Sequence, residues 1–271
     1  MENLAEVIPS KFEKISSPNA TFVVVSQALP ERHKDFWKLF KNEWENENRK
    51  ALSDFIDSNT TVIDLGAWVG PFTLFSAALG AKHVYAFEPD NYAREFLQEN
   101  YLANPVLQNK ITIFKDAIAK VDGEIKIGPL SGRSLGESTT STEGTNLMSV
   151  PSISIETLRS RCNLDMAVKT CIKIDIEGAE KYILSDIEKM LSKINKPFLL
   201  VVEIHPFHFN KEDSKIIESA IAKLISMSDE FNFKQRRRIG ESRQYPNEET
   251  AWRSELHHPN GLFDMTFKKN K

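Results

Sequence analysis

The feature that most limits what this chain can fold into is a unit of strand, glycine turn, helix and strand in its first third. The run TTVIDLG is apolar and ends in Asp64 and Gly66. Pro71 to Leu79 follows with helical patterning, and His83 to Glu88 (HVYAFE) is a second apolar strand. A hydrophobic period that switches from two to 3.6 and back marks a βαβ unit. The alternation continues: Asp90 is placed to cap a helix reaching Leu102, and Ile111 to Phe114 is a third strand. It resumes with Cys171 to Asp175, a helix over Ala179 to Leu191, the apolar strand Phe198 to His205 and a helix over Ile216 to Met227. A continuous apolar strand suits a sheet centre covered on both faces. Phe231 to Phe233 and Leu262 to Phe267 read as an antiparallel pair at one edge. The expected fold is therefore α/β: an open, twisted, mostly parallel Rossmann-like sheet with helices on both faces.

Two intervals depart from this rhythm. The middle opens with Asp122-Gly123 in VDGEIKI, a hairpin signal, and continues into Gly128 to Asn146, a Gly-, Ser- and Thr-rich stretch expected to be a long loop. At the start, Glu31 to Asn46 is helix-like, with Phe36, Trp37, Phe40 and Trp44 on one face; Leu52, Phe55 and Ile56 mark a second short helix. The aromatic face is expected to pack onto the core or close a cofactor cleft, and a dimer contact is a further use for it. The expected organisation is an N-terminal helical extension over residues 1–50 covering the cleft, and a catalytic domain over residues 51–271.

Composition narrows the function. The 35 basic and 38 acidic residues leave a net charge of −3, which weighs against whole-surface nucleic-acid binding. Two cysteines, Cys162 and Cys171, give neither a disulfide framework nor a C-x-x-C site, so a reducing compartment is expected. No secretory signal is visible at the start, and Pro71 to Ala81 is too short to span a bilayer. The expectation is a soluble, cytoplasmic protein with no membrane partner.

In an open α/β sheet, ligands bind beyond the carboxyl ends of the strands. Asp64, Gly66 and Gly70 stand at one such end and Glu88 at the next. The glycines let backbone approach a ligand, and the following helix N-terminus is expected to offer free N–H groups to a carboxylate. Glu88 suits a ribose diol. A dinucleotide site wants G-x-G-x-x-G under a pyrophosphate. Here the spacing is Asp64-x-Gly66-x-x-x-Gly70, and Asp64 would repel a pyrophosphate but suits the ammonium of a methionine moiety. S-adenosyl-L-methionine is favoured over NAD(P), although a tight structural turn with two solvated acids also accounts for the residues. Asp116, after the third strand, is placed to meet an adenine.

A second constellation lies further along. Asp175 ends the strand expected beside the first, with Glu177 and Gly178 after it, and Glu203 and His205 alternate at the end of the next strand. An imidazole with an ordinary pKa near ~6.5 can take a proton at neutral pH, so His205 is assigned as general base, oriented by Glu203 or Asp175. The same groups admit a divalent cation through oxygen ligands, but no ligand spacing indicates one.

DLGAWVGPFTLFSAALGAKHVYAFEPD, CIKIDIEGAEKYIL and LLVVEIHP together resemble the FkbM family of S-adenosylmethionine-dependent methyltransferases, over about Trp44 to His205. The Trp44-Glu45 pair, the Ser/Gly-rich loop near Ser134 to Ser141 and VPSISIETL fit the same family. The resemblance implies a class I sheet of seven strands with the last one antiparallel. It also implies methyl transfer to a hydroxyl of a sugar, glycan or natural product. The cofactor set becomes Glu45, Asp64, Gly66, Ala67, Gly70, Glu88, Pro89, Asp116, Ala117 and Asp175; the catalytic set is His205, Asp175 and Glu203; no residue is assigned to a metal. The expected partner is a small-molecule or glycan acceptor, with a homo-oligomer also open. Competing readings are an NAD(P)-dependent oxidoreductase and a nucleic-acid methyltransferase resting on the basic run Lys234 to Arg243, whose plainer reading is a solvated loop. His257-His258 reads as loop.

Overall fold

The computed structural model describes residues 12–17, 19–25, 35–42, 44–129, 138–140, 147–164, 168–236, 247–258 and 261–270. The chain opens with β1 (Phe12–Ser17) and β2 (Ala20–Val25), then α1 (Phe36–Asn42) and α2 (Asn46–Phe55). The first βαβ units follow as β3 (Thr60–Leu65), α3 (Pro71–Ala78), β4 (His83–Phe87), α4 (Asn91–Leu102) and β5 (Ile111–Phe114). The middle supplies β6 (Ala117–Ile118), β7 (Gly123–Pro129), β8 (Ser138–Thr140), β9 (Met148–Ile153) and α5 (Ile155–Arg161). The last part is β10 (Lys169–Ile174), α6 (Glu180–Leu191), β11 (Phe198–Ile204), α7 (Lys211–Met227), β12 (Glu230–Gln235), α8 (Glu248–Leu256) and β13 (Phe263–Lys269).

Seven strands form the main sheet in the order β12-β13-β11-β10-β3-β4-β5. Strands β3, β4, β5, β10 and β11 run parallel, and β13 is antiparallel to both of its neighbours. This is the Rossmann-like sheet expected, with β10 beside β3 and the last strand reversed. Alternation along each strand divides the core in two. Ile63, Leu65, Ile172, Ile174, Leu200 and Val202 face a core shared with α5, α6, α7 and α8, while Val62, Val84, Cys171, Leu199 and Val201 face the α1–α4 side. Asp64, Lys173 and Glu203 keep step with the second set. The polar tips thus gather on the face that α1, α2 and α3 cover.

Several local expectations change. The helical pattern over Glu31 to Asn46 is broken: Glu45 takes a left-handed conformation (φ 47°) and divides α1 from α2. A hairpin, β1–β2, precedes them and is tied to α4 by Asn100 and Asn104, whose side-chain oxygens accept from Val25 N and Val23 N at 2.8 Å each. Helix α2 runs across residue 50, the expected limit of the extension. Asp122-Gly123 does not close a hairpin. Strand β9 intervenes between β6 and β7 in a small second sheet, and the Asp122 carboxylate instead accepts from Ser154 N and Thr157 Oγ1 at the head of α5. The Gly128 to Asn146 loop lies mostly outside the described residues. No described helix is long and apolar enough to cross a membrane.

Candidate active site

A cavity of about 300 Å³ opens at the carboxyl ends of the parallel strands. Its wall includes Glu45, Gly66, Glu88, Pro89, Asp116, Ala117, Asp175 and Glu203 from the expected set. Ala67, Gly70, Asp64 and His205 are not on the wall.

The reasons are local. Gly66 (φ 80°) carries β3 so close to β10 that a Cβ would lie 1.7 Å from the backbone oxygen of Asp175. At Gly70 (φ 94°) a Cβ would lie 2.6 Å from Leu97 Cδ1, so this glycine packs α3 on α4. The amides of the turn are spent within the protein. Gly66 N and Ala67 N donate to the Phe87 carbonyl at 3.0 Å, Gly70 N donates to Ala67 O, and Trp68 N donates to Glu88 Oε2 at 2.7 Å. These four amides of the turn are thus taken up within the protein, which leaves any free N–H groups for a ligand to the first turn of α3. Asp64 points toward α3, buried, accepting from Thr73 Oγ1 at 2.6 Å through Oδ2, while Oδ1 is buried without a hydrogen bond. Burial raises its pKa above the ordinary carboxylate value.

Glu88 closes one end of the cavity, accepting from Trp68 N through Oε2 and from Asp90 N through Oε1. Burial is the main force on it and pushes its carboxyl up to about 8, against those two bonds. Each oxygen keeps a second lone pair for a ligand hydroxyl. Asp116 lies at the same end, paired with Arg161 at 3.0 Å.

The other end is ionic. Asp175 Oδ2 accepts from Lys173 Nζ at 2.8 Å. Arg236 Nη2 donates to Glu203 Oε2 at 2.6 Å and Glu45 Oε1 at 2.5 Å, and its Nε donates to Asp264 Oδ2 at 3.0 Å. Arg236 was expected in a solvated loop; three carboxylates instead hold it over the site, and residues 237–243 of that run lie outside the described residues. His205 is 3% exposed, with Nδ1 3.2 Å from Glu180 Oε1. Burial opposes a charge on the ring, but Glu180, Glu203 and Glu177 outweigh it and push the imidazole up to about 10. In this form the ring already carries its proton at neutral pH. The role of base assigned to it from an ordinary pKa meets that obstacle.

Trp68, which the sequence does not single out, joins the wall, together with Glu177 and Arg236, which the sequence marks without placing them in the cofactor or catalytic set. Trp68 (φ 50°) and Glu177 (φ 51°) share with Glu45 the left-handed conformation that costs a bulky residue about 1–2 kcal/mol. Such outliers collect at functional sites. Phe36, Trp44 and Trp68 form an aromatic flank, Phe36 meeting the other two rings edge-on at 5.1 and 4.7 Å.

The sequence profile described as methyltransferase FkbM domain matches residues 64–239, which takes in both ends of this cavity. The chain belongs to that family. Among curated relatives of this FkbM-domain chain, the protein named "Probable histone-arginine methyltransferase 1.4" of Arabidopsis thaliana is 38% identical over 90 residues, 33% of this chain and 16% of that protein. Ribosomal protein L11 methyltransferase of Streptococcus agalactiae serotype V is 34% identical over 77 residues, 28% of this chain and 24% of its own length. The chain thus spans under a third of either relative. Of solved structures, an FkbM methyltransferase from Methylobacillus flagellatus KT is similar with a TM-score of 0.44 at 14% identity, covering 88% of this chain and 55% of that one. An rRNA methylase from Streptococcus thermophilus gives 0.46 at 15%, covering 83% and 95%.

Proposed function

We propose that this chain transfers a methyl group from S-adenosylmethionine to a hydroxyl oxygen of a sugar, glycan or natural product. The observation that carries the reading is one cavity at the strand ends with Glu88 at one side and Asp175 and Glu203 at the other, in a chain of the FkbM family. The residues fit the cofactor: Glu88 has lone pairs to spare for a ribose, and Asp64 places a buried acceptor oxygen, Oδ1, without a hydrogen bond behind the Gly66 turn. Asp116 and Ala117 stand where an adenine edge needs a partner.

The cofactor supplies a methyl already activated on a sulfonium. The chain must hold the acceptor oxygen roughly 3 Å from that carbon and in line with the leaving sulfur. As the carbon–oxygen bond forms, the carbon–sulfur pair stays on sulfur and the hydroxyl proton leaves. Asp175 and Glu203 face the cavity and His205 does not, so the proton goes to one of those carboxylates. Phe36, Trp44 and Glu45 of the N-terminal extension cover the cleft and keep water from the sulfonium. Among the described residues six carboxylates line the cavity (Glu45, Glu88, Asp116, Asp175, Glu177 and Glu203), and the one lining cation, Arg236, is bound to three carboxylates. That favours a neutral hydroxylic acceptor over a phosphate-rich polymer.

Calorimetry with S-adenosylhomocysteine tests the reading. One site per chain is expected, weakened at least tenfold in Glu88→Ala, with no heat from NADH. Unchanged affinity in that variant removes the ribose assignment, and NADH binding favours the oxidoreductase.

A further inference from the structure

His205 has a feature that methyl transfer alone does not require. Among the described residues its Nε2 has no hydrogen-bond partner. The nearest acceptors are Glu203 Oε1 at 3.6 Å, Glu177 Oε2 at 3.6 Å and Asp175 Oδ1 at 3.8 Å, all beyond hydrogen-bond reach. A buried ring nitrogen aimed between carboxylate oxygens at that separation is unusual for a salt bridge and usual for ligands around one ion. With metal–ligand bonds of about 2.1 Å, neighbouring ligand atoms in a tetrahedral shell sit roughly 3.4 Å apart. Ligand atoms of Asp175, Glu203 and His205 all lie within 4.8 Å of one another. Closing the shell takes movements of at most about an ångström and a half, and only a few tenths for the two pairs that include His205.

The supporting groups match as well. Ligating histidines almost always give their other ring nitrogen to a carboxylate or carbonyl, and ligating carboxylates are themselves hydrogen-bonded. Here Nδ1 meets Glu180 Oε1 at 3.2 Å, on a glutamate that is wholly buried. Asp175 turns its other oxygen to Lys173 at 2.8 Å, and Glu203 turns its other oxygen to Arg236 at 2.6 Å. Each of the three ligands is thus held by a separate partner, leaving one atom each directed at a common point. Asp175 and Glu203 also line the cavity, so the point is open on the acceptor's side.

The geometry points to a divalent cation site formed by Asp175, Glu203 and His205, with its open positions toward the methyl acceptor. One imidazole with two carboxylates suits Mn²⁺, Fe²⁺ or Zn²⁺ better than a soft ion. Bound there, the ion takes an acceptor oxygen as a further ligand and fixes its direction. That use of the open side rests on the proposed methyl transfer; the ion site itself does not.

Manganese is the probe. The full chain, free of cofactor, is titrated with Mn²⁺ and the free ion followed by electron paramagnetic resonance. One ion per chain is expected, and the bound ion should show ¹⁴N coupling from an imidazole, which needs no variant and hence no assumption about folding. His205→Gln and Asp175→Asn should weaken binding at least tenfold, while Glu218→Gln, beside the surface residue His257, should leave it unchanged. No binding, binding without ¹⁴N coupling, or equal affinity in the His205 and Asp175 variants overturns the site. Ion binding with ¹⁴N coupling in a chain that fails to bind S-adenosylhomocysteine overturns the proposed function and leaves the ion site standing; the converse overturns the ion site alone.

Discussion

Replacing Gly66 by alanine isolates the contact on which the site is built. Its φ of 80° lies where an L side chain costs about 1–2 kcal/mol. The added Cβ also lands 1.7 Å from the Asp175 carbonyl oxygen, and the atom in the way is backbone, so no rotamer change relieves it. Forced repacking of this kind adds about 1–3 kcal/mol, for a total of roughly 2–5 kcal/mol. The strain falls where β3 meets β10, so Asp175 must shift away from the cavity. Gly80→Ala is the matched comparison: its φ is 100°, but nothing lies within 4 Å of the new carbon, so it should cost only the backbone term. Urea unfolding measures the difference, and calorimetry with S-adenosylhomocysteine should show binding lost in Gly66→Ala and kept in Gly80→Ala. Equal destabilisation by the two substitutions would refute the close approach of the strands.

Two further outcomes follow from the electrostatics. Glu88 holds its proton up to about pH 8 when folded but only to an ordinary value of 4.5 when unfolded. Between those values the folded chain binds the extra proton, so this group's contribution is fully present below pH 4.5 and is lost as pH rises through 8, on the order of 5 kcal/mol. The stability difference between wild type and Glu88→Gln, from urea midpoints, should therefore change steadily from pH 5 to pH 8; a constant difference would contradict the burial of an ionisable Glu88. Arg236→Met leaves three buried carboxylates without their cation and should cost about 2–4 kcal/mol, discounted from the fully buried case because Arg236 is partly exposed. Hydrogen exchange should rise at residues 44–46 in that variant; unchanged protection there would remove Arg236 as the clamp on Glu45.

The parallel strands were legible because each is a dense apolar run with a polar tip, as in TTVIDLG and LLVVEIH, and burial on both faces leaves no other place for them. The hairpin β1–β2 was not. FEKISS alternates weakly, and its partner is fixed by Asn100 and Asn104, some eighty residues away. The site was half legible. Glu88, Asp175 and Glu203 sit at strand tips, where periodicity alone points them at the cavity. Arg236 stands in a charge run, and nothing local in the sequence distinguishes it from the arginines that follow it. The left-handed residues Glu45, Trp68 and Glu177 are not glycines, so their identity does not announce the conformation, which surrounding structure imposes. His205 was found in the right place, but an ordinary pKa was the wrong guide to it, because Glu180, Glu177 and Glu203 surround the ring only after folding.

The most direct measurement is a crystal structure of the full chain grown with S-adenosylhomocysteine. The ribose should lie against Glu88, the adenine beside Asp116 and Ala117, and the sulfur should face Asp175 and Glu203 across the acceptor space. Ligand density lodged away from these strand ends, with Glu88 touching nothing but its two backbone partners, would contradict the assignment of this cavity to methyl transfer.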